Sequence, residues 1–325
     1  MSKPLTIGII GVGRWGLNYF KTLNELSNAN VKWICATKES TLKEALSKVK
    51  SQNNVKSTTN YNKILKDKEV DAVAIASSGS THYEISKATL KNNKHVIVEK
   101  PVAFSSTDAK ELIKLSKERK KIFMAGHLHL YNPAIRKIKQ DIDSGLFGKI
   151  NYFSLVHFGN GPVRKDIGVI WDFFPHSVSI FLYLLGKSPL KVSVNGASYL
   201  QKGIEDIAVM DMHFADKIFA TSAASWLYPL KKMKLTIIGE KLYGVFDDYA
   251  AEEKLRYYDR NDKGYYAPEF KDAKPLTEQL KHFLDCIENN KIPLTDGEEA
   301  LKVTKVLEAA QKSMNNDGAM TKVMR

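Results

Sequence analysis

Leu5-Thr6-Ile7-Gly8-Ile9-Ile10-Gly11-Val12-Gly13-Arg14-Trp15-Gly16 is a short, mostly aliphatic run that leads straight into G-x-G-x-x-G. A continuous apolar run of this length is the pattern of a strand buried on both faces. A glycine turn at its end, followed by a helical period from about Trp15 to Leu26, marks a strand–turn–helix unit. Each glycine has a physical task there. The first allows the sharp turn, the second lets backbone come close to a pyrophosphate, and the third lets helix and strand pack tightly. The helix start then offers free N–H groups to the anion. Gly11, Gly13 and Gly16, with Arg14 and Trp15 between them, predict a dinucleotide-binding turn.

Outward from that turn, apolar runs alternate with helical segments. Strands are expected at Val31 to Ala36, Val70 to Ala76, His95 to Val98 and Ile122 to Ala125. Helices are expected at Thr41 to Lys50, Thr81 to Asn92 and Ser106 to Arg119. Strand, crossover helix, strand is the unit of a doubly wound parallel α/β sheet of the Rossmann kind. After Ala125 the rhythm changes. One helix, Pro133 to Asp143, precedes alternating runs at Ile150 to Phe158, Leu190 to Ala197, Ile207 to Phe214, Ile218 to Trp226 and Lys234 to Ile238. Successive strands without helices between them predict a large open mixed or antiparallel sheet. Helices at Thr277 to Glu288 and Glu298 to Ser313 close the chain. The expected domains are 1–124, dinucleotide-binding, and 125–325, a substrate-binding and oligomerisation α/β domain.

The second strand ends Cys35-Ala36-Thr37-Lys38-Glu39. In NAD-binding turns an acid at this point bonds the adenosine 2′-hydroxyl. Here Thr37 and Lys38, a hydroxyl followed by a cation, suit a 2′-phosphate, so the reading leans to NADP. NAD stays open through Glu39 if the strand runs longer. Ser77-Ser78-Gly79-Ser80-Thr81-His82 follows the strand at 70–76, where Ser77, Ser78 and His82 either line the cofactor or form a simple helix cap.

Chemistry is concentrated at two places. Glu99-Lys100-Pro101 follows the strand at 95–98, at the end where open parallel sheets bind ligands, and Pro101 restricts the backbone of Lys100 and permits a cis peptide in the turn. Lys100 is then a cation in the nicotinamide cleft or an exposed lysine after a strand. Trp171-Asp172-Phe173-Phe174-Pro175-His176 reads as a helix start with Asp172 as N-cap, four residues from His176. A carboxylate beside an imidazole orients it as a general base for an alcohol proton. A capping Asp and a buried His remain the plainer alternative. His127 and His129 alternate onto one face, but no Cys or second acid follows at a ligand spacing, so no metal is expected.

Composition sets the class. The chain has 325 residues, 43% hydrophobic, with 19 Gly and 10 Pro, which rules out a disordered or collagen-like chain. Its formal charge of +13 comes from 42 Lys and only seven Arg, a poor surface for reading base edges, so no nucleic-acid partner is expected. Cys35 and Cys286 form no motif and read as buried thiols in a reducing compartment. Met1-Ser2-Lys3-Pro4 leads directly into a strand, and no apolar run spans a bilayer. The expectation is a cytoplasmic protein with no signal peptide and no membrane partner.

Taken together, the glycine turn, Glu99-Lys100-Pro101, Gly126-His127-Leu128-His129-Leu130-Tyr131-Asn132-Pro133, Gly145-Leu146-Phe147-Gly148-Lys149-Ile150, Trp171 to His176, and Trp226 with Pro229 strongly resemble the Gfo/Idh/MocA family. That family comprises glucose–fructose oxidoreductase, inositol dehydrogenase and their relatives, and the resemblance spans nearly the whole chain. It implies an NAD(P)-dependent sugar oxidoreductase in which Lys100, Asp172 and His176 form the catalytic trio and Glu99 joins the cofactor contacts. It also implies a homodimer or homotetramer built through the C-terminal sheet. Trp15-Gly16, Asn18 and the stretch from Gly161-Pro162-Val163-Arg164 to Trp171-Asp172 resemble the UDP-N-acetylglucosamine 3-dehydrogenase-like branch. On that likeness Tyr131, Arg164 and Lys165 join the substrate contacts. The acid that branch commonly carries after the second strand is absent here. A ketosugar reductase, and a non-catalytic sugar-sensing regulator of the same fold, are the alternatives.

Overall fold

The opening run folds as β1 (Leu5–Ile10) in the computed structural model, which describes residues 3–49, 54–161, 163–262 and 264–324. Met1, Ser2, Lys50 and Pro162, all named in the sequence reading, lie outside the described residues, as does residue 325, the last of the second expected domain. By its contacts the chain divides into two compact units. One holds the residues up to Leu128 together with Lys274–Leu301; the other holds His129–Ala273 and Lys302–Arg325. The sequence reading kept everything after residue 124 together, whereas the chain returns to the first unit for 28 residues near its end.

In the first unit β1 is followed by α1 (Gly16–Glu25), β2 (Ala29–Cys35), α2 (Glu39–Ser47), β3 (Lys56–Thr58), α3 (Asn62–Lys66) and β4 (Ala72–Ile75). Then come α4 (His82–Lys91), β5 (His95–Val98), α5 (Ser106–Arg119) and β6 (Phe123–Ala125). The strands lie in the order β3-β2-β1-β4-β5-β6, and every pair is parallel. The order reverses between β1 and β4, and the crevice beyond the strand ends at such a reversal is where doubly wound sheets bind ligands. Ile7, Ile9, Val73, Ile75, Val96 and Val98 are all buried because helices cover both faces, hence the unbroken apolar runs. Local chemistry fixes the ends. Ser105 caps α5 by accepting from the Asp108 amide at 3.0 Å, and Lys120 ends the helix in the left-handed region.

The second unit continues with α6 (Pro133–Asp143), β7 (Ile150–Phe158), α7 (Val169–Asp172), α8 (Phe174–Leu185), β8 (Lys191–Ala197), β9 (Ile207–His213) and β10 (Phe219–Ser225). It goes on through β11 (Lys232–Gly239), β12 (Leu242–Asp247), β13 (Leu255–Asp259) and β14 (Tyr265–Tyr266). Two helices and a short strand complete the chain: α9 (Pro275–Glu288), which packs on α1, then α10 (Gly297–Met314) and β15 (Thr321–Lys322). Nine strands form one sheet in the order β14-β13-β12-β11-β7-β10-β9-β8-β15, in which only β7 and β10 run parallel. Helices α6, α7 and α8 pack against it. Along β11 buried and half-exposed residues alternate strictly, as a sheet with one covered face requires.

Both cysteines are free and buried, and burial pushes each thiol up to about 11, which leaves them unreactive. No helix among the described residues is long and apolar enough to cross a membrane.

Candidate functional site

The glycine turn is shaped by contacts that a side chain would destroy. Gly11 sits at φ +95°, and a Cβ on it would lie 2.5 Å from the Ser77 amide. A Cβ on Gly16 would come within 1.9 Å of the Gly11 carbonyl, so α1 can start only where a hydrogen stands. Nothing lies within 4 Å of a Cβ on Gly13. The turn is thus tight at its first and third glycines and open at its second. α1 begins without a side-chain cap, and its Leu17 and Asn18 amides donate to the Gly13 and Trp15 carbonyls at 2.9 and 2.8 Å, so the opening for an anion lies at Gly13, ahead of the helix. This combination fits the pyrophosphate of a dinucleotide. The amides of Gly11 and Val12 donate to the Cys35 carbonyl at 2.8 and 3.0 Å, so the exposed Thr37 and Lys38 follow directly from the strand that flanks the turn. Glu39, also exposed, opens α2 rather than extending β2.

Ser77 and Ser78 follow the C-terminal end of β4, and the Ser77 amide lies beside Gly11. His82 does not share that setting. Its ring is buried, with Nδ1 2.8 Å from the Pro101 carbonyl and Nε2 3.0 Å from that of Ser77. It therefore straps two loops together, turned inward from the position in which the sequence reading gave it a cofactor contact. The Lys100–Pro101 peptide is cis. Glu99 is likewise drawn inward. Its carboxylate accepts from Trp15 Nε1 at 2.6 Å, Tyr19 hydroxyl at 2.8 Å and the Lys100 amide at 3.3 Å. Gly126 makes room for it, since a Cβ there would lie 2.9 Å from Oε1. Glu99 thus ties the turn that carries Lys100 to the helix of the glycine turn, through a tyrosine that the sequence reading did not single out.

Burial raises the Glu99 carboxyl above the ordinary glutamate value of 4.5, against the opposing pull of Lys100 and its donors. A carboxyl raised on folding favours the folded state at low pH, and that contribution fades as pH climbs from 4.5 through the folded value. Glu99→Gln removes this dependence. Thermal melts of both proteins from pH 4.5 to 8 should show the variant gaining on the wild type as pH rises. A constant offset between them refutes the assignment.

In the second unit the structure corrects the helix start at Asp172. The turn begins at Val169 with Gly168 as its cap residue, and Asp172 is its last residue. The reason is Glu205. Its carbonyl takes the Val169 amide at 3.0 Å and its carboxylate the Ile170 amide at 3.3 Å, so no capping role is left for Asp172. A Cβ on Gly168 would fall 2.1 Å from that carboxylate. The Asp172 carboxylate instead accepts from Trp226 Nε1 at 3.3 Å, and neighbouring Trp171 donates to Gln311 at 3.0 Å. His176, in the first turn of α8, stands in a cluster of imidazoles. The His129 ring meets it edge-on with centroids 4.8 Å apart, and His157 lies at 5.4 Å. His157 itself stacks on Phe173 at 4.2 Å. His157, Glu205 and Gln311 belong to no motif.

His127 and His129 do not share a face, because the chain leaves β6 in a 3₁₀ turn over Leu128–Tyr131. His127 is buried against Glu299 at 2.5 Å, whereas His129 joins the imidazole cluster. Among the described residues no group of three or more His, Cys, Asp or Glu is arranged to hold a metal. Tyr131 is fully buried under the Arg136 guanidinium, 5.1 Å from its ring centre, so it packs rather than presenting a face to substrate. Arg164 holds Asp166 with both ends of its fork, at 2.9 and 2.8 Å, while Lys165 is exposed.

Comparison with known proteins agrees with this two-part architecture. The Gfo/Idh/MocA profile, an oxidoreductase family with an NAD-binding Rossmann fold, matches residues 5–127, and the Gfo/Idh/MocA C-terminal domain matches residues 135–243. A myo-inositol 2-dehydrogenase of Thermotoga maritima is 23% identical over 327 residues, 95% of this chain and 96% of that protein. A UDP-N-acetylglucosamine 3-dehydrogenase of Acidithiobacillus ferrooxidans is 29% identical over 170 residues, 51% of this chain and 53% of its own. The solved structure of an enzyme of that name from the same organism superposes with a TM-score of 0.85 at 22% identity, covering 97% of this chain and 99% of that one. With both halves of the family architecture matched, the chain belongs to the Gfo/Idh/MocA oxidoreductases.

Proposed function

We propose that this oxidoreductase is an NADP-linked dehydrogenase that oxidises a secondary alcohol of a nucleotide-linked sugar, with carbon 3 of a UDP-N-acetylglucosamine-type substrate as the position attacked. The observation that carries the reading is Asp172, anchored by Trp226 and four residues ahead of a clustered His176. When bound, the nicotinamide cofactor supplies the hydride acceptor; the open ground at Gly13, ahead of α1, would hold its pyrophosphate. His176 takes the hydroxyl proton as the carbon gives up its hydride, so the alcohol becomes a ketone. Asp172 steadies the imidazolium that forms. Lys100 opposes the negative charge growing on the substrate oxygen. Lys165 meets the diphosphate, and Arg164 joins it on exchanging Asp166 for the ligand. Thr37 and Lys38 support the 2′-phosphate of NADP.

A free cyclitol is the second reading, favoured by the full-length match to a myo-inositol 2-dehydrogenase. Reduced-cofactor absorbance with UDP-sugars, dTDP-sugars, free sugars and inositols, each with NAD and NADP, separates the two. The proposal expects UDP-N-acetylglucosamine with NADP to give the highest kcat/KM, and Lys38→Ala to lower the NADP-to-NAD ratio by about tenfold. Preference for an inositol overturns the sugar, and preference for NAD overturns the cofactor. We further propose that the protein works in a reducing cytoplasm, on the strength of its two free thiols. Its uncovered sheet face, with half-exposed Ser154, Thr221 and Thr236, would join copies into a dimer or tetramer.

A further inference from the structure

At the end of the parallel sheet opposite the glycine turn, the chain forms a cleft of about 750 Å³ at the N-terminal ends of β1, β4 and β5. Its lining includes Lys66, Lys68, Lys91, Lys94 and Lys121, with Asp71 as the one acid. Asp71 is already engaged, accepting the Thr6 amide at 2.8 Å. The acids of the same loop are turned elsewhere, because Asp67 and Glu69 both pair with Lys32, at 2.7 and 2.6 Å. Among the described residues Lys66, Lys68, Lys91 and Lys121 form no ion pair at all. Helix ends explain part of this arrangement, since lysines favour the last turn and Lys66 and Lys91 stand in those of α3 and α4. They do not explain Lys68, Lys94 and Lys121, which lie in loops. Lys94 is buried, its amine donating to the carbonyls of Asp67 and Val70 at 2.7 Å each. His95 lines the same cleft with Nδ1 accepting the Ile122 amide, and burial together with Lys121 depresses it to about 4, so it faces the cleft as a neutral ring.

We propose that this cleft binds a small anion carrying three or more charges, of the phosphate-chain type. Its size is that of a ligand pocket, and five lysines line it against a single acid, Asp71. Lysines bind phosphate as point charges, and the lining holds no arginine fork and no Phe, Tyr or Trp on which a base would stack. The ligand is recognised by its phosphates alone. Lys94 and Glu99 bracket β5, so the cleft stands roughly 17 Å from the turn that carries Lys100, at about 3.3 Å per strand residue.

The test is calorimetric titration of tripolyphosphate into the protein saturated with its nicotinamide cofactor, which keeps the glycine turn filled. The variant is Lys91→Gln/Lys121→Gln. A control of equal charge, Lys202→Gln/Lys312→Gln, removes two exposed lysines elsewhere. The expected result is saturable binding that weakens at least about tenfold in the cleft variant and stays at the wild-type value in the control. ATP should match tripolyphosphate within about threefold, because only phosphates are read. Absence of saturable binding overturns the proposal, as does equal weakening in both variants, which would be bulk charge. A single-stranded oligonucleotide that outcompetes tripolyphosphate reassigns the surface to nucleic acid and overturns it too.

Discussion

His176→Ala lowers kcat by about 10²- to 10⁴-fold while nicotinamide binding stays at its wild-type strength. The two halves of this expectation come from different parts of the molecule. His176 lies in the first turn of α8 in the second unit, four residues after Asp172 and among the imidazoles of His129 and His157, and a general base removed from a proton transfer costs a factor of this size. The glycine turn belongs to the first unit and has no reason to change. Stopped-flow turnover and a cofactor fluorescence titration on the same preparation read both quantities. Unchanged turnover removes His176 from the chemistry and moves the protein toward a sensor. Weakened cofactor binding in step with turnover means that the variant has disturbed the fold instead.

Gly13→Ala and Gly16→Ala should fail in opposite ways. A methyl at position 16 meets the Gly11 carbonyl at 1.9 Å, a backbone atom that cannot swing aside, so the apo protein loses about 1–3 kcal/mol or more. A methyl at position 13 meets nothing, and the apo protein should melt within about 0.5 kcal/mol of wild type. The same methyl occupies the ground where the pyrophosphate must lie, so cofactor affinity should drop at least about tenfold. Thermal melts with and without cofactor separate the two outcomes. A Gly13→Ala protein that binds as tightly as wild type would refute the placement of the phosphates.

The parallel sheet was readable because its strands are buried on both faces and the glycine turn fixes where it starts. β3 escaped notice because it has three residues, two of them exposed, and α3 is barely more than one turn. In the second sheet β12 to β15 are short or carry charges and glycine, and their pairing is supplied by neighbours distant in sequence. Site residues divide along the same line. Glu99, Lys100, Asp172 and His176 stand in local patterns, but which way a side chain turns is decided by packing. Hence Glu99 and His82 face inward where strand-end position suggested a ligand. His157 lies in an ordinary alternating strand, and Glu205 reaches Ile170 from 35 positions away. No spacing rule reports such partners.

The contact between Gly168 and Glu205 makes the two positions a single unit of inheritance. Glu205 is buried, and burial raises its carboxyl above the ordinary range, so the chain retains an uncomfortable acid to hold the Ile170 amide ahead of Asp172. Neither residue can drift alone. A side chain at 168 would evict the carboxylate, and a shorter residue at 205 would leave the Ile170 amide without its acceptor. Descendants of this sequence are therefore free to lengthen or rewrite the exposed stretch around Tyr199–Gly203, while the two ends that meet beneath it must change together or not at all.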